Sequence, residues 1–284
     1  MKKLIAMLLA LTLVLSLAAC GSKPAETTAP AETTAPVEST PETTAPADTS
    51  ITVTDILGNE VTLEGPASRL VGTHNPTMNM AVILGGGGKY IAGFGNKEMA
   101  DVLYSYVYPE LKDDVIQIGK CKNVNYETVL TTGADLAILP ERFAYMVEEF
   151  NDVGIPAIVI LSSTESFDTI RNAINLMGTV VGETDRAAAL LGYFDGVISK
   201  VAERTAGVEE KPTVMFLGSS SMYSVATGAM IQSEIMDVAG AVNAVSGVDV
   251  LGEFADVSAE EMVGWNPDVI WVCFGNLYLQ YTRS

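Results

Sequence analysis

Histidine occurs once in the 284 residues, cysteine three times and tryptophan twice, and 16 Lys and Arg face 35 Asp and Glu. A single imidazole leaves no material for a cage of His ligands, and three cysteines cannot build a disulfide framework. The shortage of cations makes this a poor nucleic-acid binder, because phosphate contacts need clustered Lys and Arg, and no nucleic-acid partner is expected. The formal charge of −19 is unevenly spread: residues 1–20 contribute +2 and residues 21–50 contribute −4, leaving −17 for 51–284. What is plentiful is apolar material, 48% of the chain, enough for one large domain or two modest ones with real cores.

The ends of this apolar supply have different meanings. Lys2 and Lys3 precede an apolar run from Leu4 to Leu17, then Ala18, Ala19 and Cys20. A basic start, a short apolar stretch and a small-residue cleavage site read as a bacterial secretory signal over 1–20. The run falls short of the roughly 20 apolar residues a membrane span needs. Leu17-Ala18-Ala19-Cys20 resembles a lipobox, which makes Cys20 the expected lipidation site and first mature residue. Residues 21–50 hold three copies of ETTAP and, apart from Val37, no large apolar side chain. Such a stretch cannot bury enough surface to offset the entropy of ordering, so a disordered Thr/Pro/Ala/Glu tether is expected, permissive of O-glycosylation.

From Ile51 onward the pattern alternates strands and helices. Ile51–Ile56 and Val61–Leu63 flank Gly58-Asn59 and read as a hairpin. Apolar runs of strand length follow at Leu70–Thr73, Tyr90–Phe94, Val115–Ile118, Leu136–Leu139 and Ala157–Leu161. Asn75 and Pro76 are placed to cap and begin a helix with Met78, Met80, Ala81 and Leu84 on its apolar face. Thr184 and Asp185 open a long helix, striped by Leu190, Phe194, Val197, Val201 and Thr205 and ending near Gly207. At 1.5 Å per residue it is a rod of roughly 33 Å. The rhythm then resumes with a strand at Thr213–Leu217, a helix near Gln232–Ala239 and a strand at Asp268–Val272. Residues 118–139 also align without gaps on 251–272, at a constant offset of 133. The pairs include Gly119 with Gly252, Glu127 with Glu260 and Asp135 with Asp268, and both helix starts carry a capping type, Asn125 and Ser258. The expectation is α/β: two similar lobes with mainly parallel sheets, 51–183 and 208–284, joined by one helix over 184–207.

Catalytic and nucleotide motifs fail in detail. Gly85–Gly88 before Lys89 lacks the first glycine of a phosphate loop, where Ile83 stands, and Tyr90 follows where Ser or Thr is needed. Gly93-Phe94-Gly95 meets Glu98 where a dinucleotide fingerprint wants its third glycine. Gly218-Ser219-Ser220-Ser221-Met222 is no nucleophile elbow, since Met222 replaces glycine, and His74 precedes these serines. His74 closes a predicted strand, where ligands of open α/β sheets gather, and reads equally as a cleft contact or a plain loop residue. Cys121 and Cys273 fall in different lobes and read as unpaired, the latter as a small core residue.

The lipobox, the opening hairpin, the rod helix between lobes and the paired Asn125-x-Glu127 and Ser258-x-Glu260 helix starts resemble those of one family. It is the substrate-binding lipoproteins of ABC importers, in the subgroup for ferric siderophores, haem and cobalamin. The resemblance implies no enzyme and no resident cofactor. It implies a small iron- or cobalt-containing chelate held between the lobes, delivery to a permease dimer with its ATPase subunits, and a lipid anchor on the outer face of the membrane. Glu127 and Glu260 would dock on permease arginines. Groups expected to reach the ligand are His74, Asn75, Asn96, Arg142 and Tyr145 from the first lobe and Ser220, Tyr223, Phe274 and Asn276 from the second. Family members continue beyond the strand that ends near Phe274, so the second lobe is expected to be incomplete. The alternatives are a lipid-anchored α/β hydrolase and an importer component for an oxyanion or metal.

Overall fold

The structure, a computed structural model, describes residues 49–85, 88–96, 106, 108–109, 111–120, 122–218, 221–245, 247–248 and 254–273. Cys20, the expected signal segment and nearly all of the expected tether lie outside these residues, as do Cys121, Ser220, Phe274 and Asn276. No helix among the described residues is long and apolar enough to cross a membrane.

Strands β1 (Ile51–Thr54) and β2 (Glu60–Leu63) form the expected antiparallel hairpin. Its turn is held by the buried Asp55 carboxylate, which accepts from Leu57 N at 2.9 Å, Asn59 N at 2.8 Å and Asn59 Nδ2 at 3.1 Å. One acid thus satisfies donors that the turn would leave open.

The first lobe is built on β3 (Leu70–Gly72), β4 (Ile91–Phe94), β5 (Ile116–Gln117), β8 (Leu136–Pro140) and β9 (Ala157–Leu161). They pair in parallel in the order β5-β4-β3-β8-β9. The short hairpin β6 (Gly119–Lys120) and β7 (Asn123–Val124) stands apart from this sheet. Strand alternation divides the core. Leu70, Leu136, Ile138, Ile158 and Ile160 face helices α1 (Asn75–Gly85) and α4 (Phe167–Val180). Val71, Ala137, Leu139, Ala157 and Val159 face α2 (Tyr126–Thr131) and α3 (Met146–Asp152). Both faces are covered, which is why these strands read as continuous apolar runs.

The linker α5 spans Thr184–Thr205, 22 residues, with Ala187 alone fully buried. Beyond it, β10 (Thr213–Leu217) pairs in parallel with β12 (Val242–Asn243) and β14 (Val269–Val272). It also meets β11 (Ser224–Val225) in antiparallel, and β11 meets β13 (Ala255–Asp256) likewise. Helices α6 (Ile231–Val238) and α7 (Ala259–Trp265) pack on this sheet. Cys273 is half-buried against the cluster of Phe216 and Met236.

The internal repeat is structural. Helices α2 and α7 begin at 126 and 259, and strands β8 and β14 at 136 and 269, each at the offset of 133. The matched aspartates also do the same job. Asp135 accepts from Ser68 N and Oγ at 2.7 and 2.8 Å and from Arg69 N at 2.9 Å, just before β3. Asp268 accepts from Thr213 N and Oγ1, both at 2.8 Å, at the start of β10. Each carboxylate pins the first strand of its lobe beside the strand that follows the capped helix. The copies differ in cover: β8 is wholly buried, whereas β14 is about half exposed along its length.

One local expectation is corrected. Asn75 does not cap α1 but is its first residue. The His74 carbonyl receives Met78 N at 3.1 Å and Thr77 Oγ1 at 2.9 Å. That side-chain bond from Thr77 reinforces a helix starting one residue earlier than the Asn-Pro pattern predicts.

Candidate functional site

The carboxyl ends of the strands bring residues of both lobes to one cavity of about 260 Å³. Arg142 follows β8, Ser163 and Glu165 follow β9, Met230, Ile231 and Gln232 form the start of α6, and Phe254 precedes β13. In open α/β sheets the strand-end loops are the place where a fold can present side chains without disturbing its core. The lining joins opposite charges, Arg142 and Glu165, to an apolar wall of Met230, Ile231 and Phe254. The Phe254 ring stacks on Phe216 with centroids 6.0 Å apart, which fixes its plane.

Among the described residues, buried Gln232 Oε1 of the lining and His74 Nδ1 beside Arg142 have no hydrogen-bond partner. Orphaned buried acceptors cost free energy unless a water or a ligand meets them. His74 is half-buried and its pKa is pushed down to about 4, first by burial and then by the Arg142 guanidinium. The imidazole is therefore neutral at neutral pH and offers an acceptor, while Arg142 supplies the charge.

The lowered pKa has a measurable consequence. Between its ordinary value near 6.5 and about 4 the unfolded chain binds a proton at His74 that the folded chain does not. Stability contributed by the neutral ring is full above pH 6.5 and is lost as pH falls toward 4. Partial solvation trims the effect to about 2–3 kcal/mol. Chemical denaturation at pH 7 and pH 4 should show His74→Gln losing that much less than the wild type; equal losses would refute the burial argument.

The remaining predicted residues are scattered. Asn96 is half-buried just past β4, and Asn75 sits in the first turn of α1. Tyr145 is exposed, its ring edge-on to Phe143 at 6.4 Å, and it is not among the lining residues of the cavity. Tyr223 is also exposed and lines a different concavity, with Met215, Met262, Val263 and Ile270. Sequence reasoning missed Ser163, Glu165, Met230, Ile231, Gln232 and Phe254.

Glu127 and Glu260 occupy equivalent second positions of α2 and α7. Asn125 Oδ1 accepts from Thr128 N at 3.0 Å, and Ser258 Oγ accepts from Glu261 N at 3.2 Å, so other side chains do the capping. Glu261, not Glu260, returns to Ser258 N at 2.8 Å. Both Glu127 and Glu260 are exposed.

Two α/β lobes, a helical connection and a cavity between strand ends make a bilobal α/β architecture with an interlobe cleft. A family model described as periplasmic binding protein matches residues 87–275, and the chain belongs to that family. Such proteins bind small ligands and work with the permease and ATPase components of ABC importers. No curated protein matches the sequence. Among solved structures, a molybdate periplasmic binding protein of Haemophilus influenzae, bound to molybdate, is similar at 22% identity and TM-score 0.66, covering 78% of this chain and 73% of that one. The petrobactin-binding protein of Bacillus subtilis is similar at 21% and 0.64, covering 78% and 76%. A haem-binding protein of Roseiflexus sp. is similar at 21% and 0.60, covering 75% and 78%.

Proposed function

We propose that this protein captures an iron- or cobalt-containing chelate, a ferric siderophore or a related haem or cobalamin ligand, between its lobes and delivers it to a permease dimer. It would do so tethered through 21–50 to a lipid anchor at Cys20, on the outer face of the membrane. The observation that carries this reading is the mixed lining of the interlobe cavity. Arg142 can meet a carboxylate or phenolate of a chelate, Gln232 and the neutral His74 can meet its hydroxyl or amide groups, and Phe254 can cover a flat face. With −17 on the folded part and Glu165 in the lining, a neutral or cationic chelate suits the site better than a highly anionic one. A cavity of about 260 Å³ would enclose part of such a ligand and leave the rest toward solvent. The small volume and Arg142 favour a second reading, a compact oxyanion, against which Glu165 stands.

Thermal shift with a ferric hydroxamate, a ferric catecholate, haem, cyanocobalamin and molybdate separates these. Ligand at one hundred times its Kd should stabilise the native state by about 2.7 kcal/mol. Arg142→Ala should weaken the binding ligand by about tenfold or more, the worth of a charge-assisted bond. A shift with molybdate alone would replace the chelate reading by the oxyanion one, and no shift with any probe would sink both.

A further inference from the structure

The linker helix is fastened at both ends and weakened in the middle. At its start, Glu183 accepts from Lys89 Nζ and from Tyr90 OH, both at 2.8 Å, and Arg186 donates to Ile83 O at 2.8 Å, fixing α5 to the first lobe. At its end, Thr205 Oγ1 donates to Val238 O at 2.8 Å. There the close approach depends on Gly240, whose φ is +77° and whose Cβ, if present, would meet Thr205 Cβ at 2.9 Å. Between these anchors lie Gly192 and Gly196, one turn apart and both exposed. A Cβ at either would have nothing within 4 Å. No close packing asks for glycine there, yet each lowers helix stability relative to alanine.

The contacts of α5 change partner across this pair. Phe194 packs edge-on against Phe167 at 5.7 Å, and Arg171 Nε bonds Asp195 at 2.7 Å. These are the last side-chain contacts to the first lobe described along the helix, and both fall between the two glycines. The same first turn of α4 reaches the other lobe. Phe167 N donates to the Glu234 carboxylate of α6 at 2.6 Å, a charge-assisted bond bridging the lobes. Glu234 stands two residues beyond Gln232, and Phe167 two beyond Glu165, both of which line the cavity.

We propose that the lobes open and close by bending of α5 at Gly192–Gly196, and that the bond from Phe167 N–H to Glu234 is the latch that limits the bend. A uniformly stiff rod would allow its anchored ends no relative motion; a helix with two unsupported glycines at the point where it leaves one lobe has a preferred place to yield. The latch sits beside the cavity rather than at the far ends of the lobes, so breaking it releases the walls directly. This inference rests on the interlobe cavity being the ligand site only for its purpose, not for its test.

Amide hydrogen exchange on the full mature chain without any ligand supplies that test. Residues 190–198 should exchange faster than the flanking turns of α5. Gly192→Ala with Gly196→Ala should slow them, by about fivefold for each glycine, and raise the melting temperature. Glu234→Ala should speed exchange at the first turn of α4 and also at 190–198, while Glu234→Gln, which keeps an acceptor oxygen, should lie nearer the wild type. In the double-alanine background, Glu234→Ala should lose its effect on α5 and keep its effect on α4. Slow, uniform exchange along α5 in the wild type overturns the hinge. A Glu234→Ala response confined to α4 makes the bond a local cap and overturns the latch. A chain that binds none of the chelates could still pass, so the two readings fail separately.

Discussion

A chain carrying Glu127→Lys and Glu260→Lys together should bind its ligand within about threefold of the wild type, or roughly 0.7 kcal/mol, and yet fail to deliver it. The two carboxylates stand at matched positions of helices 133 residues apart in sequence, exposed, with the caps supplied by Asn125 and Ser258. In the free protein each gains only the helix-dipole interaction, about 0.3–1 kcal/mol, so reversal costs little folding energy. Against arginines of a permease the same groups would be desolvated, and truncating such a pair costs about 2–5 kcal/mol. Single reversals should weaken delivery and the pair should abolish it. The comparison needs ligand titration on the purified protein and uptake in cells. Normal uptake by the double variant would reduce the two glutamates to helix-dipole residues; collapse of ligand affinity in a folded variant would place them in the cleft.

Gly119→Ala should be the most damaging single methyl in the first lobe. Gly119 has φ +117°, and a Cβ there would collide with Asn123 O and lie 3.0 Å from Val124 Cα. All of these are backbone atoms of the paired strand, where Gly119 faces Val124 and Lys120 faces Asn123. The hairpin cannot relax outward, because Asn125 N donates to Ile118 O at 2.8 Å immediately beyond it. Strain at a left-handed position plus a forced backbone shift should cost about 2–4 kcal/mol. Since Asn125 caps α2, the loss should also loosen the helix that presents Glu127. Denaturant unfolding measures the first effect and hydrogen exchange at 126–131 the second; a cost below about 0.5 kcal/mol would show that the hairpin can shift after all.

Much of this architecture was legible in the residues because its causes are local. Continuous apolar runs bounded by turns located β8, β9 and β10 nearly to the residue, since a strand covered on both faces needs no polar alternation. Asn125 and Ser258 were readable as caps from their type and from the helices that follow. The offset of 133 exposed the repeat, and Asp135 and Asp268 turned out to be its structural pins. The first turn of α1 escaped, because whether Asn75 caps or enters the helix depends on what the His74 carbonyl accepts.

The cavity was decided by tertiary structure. The expectation that strand ends carry ligands pointed to Arg142, which lines the cavity, and the same expectation applied to β9 points to Ser163 and Glu165. Gln232, Met230, Ile231 and Phe254 carry no such mark: they come from a helix start and a loop of the other lobe, and only the packing of the two lobes sets them opposite Arg142. Tyr145 and Tyr223 are exposed and are not among the residues lining this cavity, Tyr223 lining another concavity instead. Likewise the long helix was plain in sequence, while the meaning of its glycines was not. A glycine that fills a tight contact and one that faces open space look identical in a sequence, and only the surrounding atoms tell them apart.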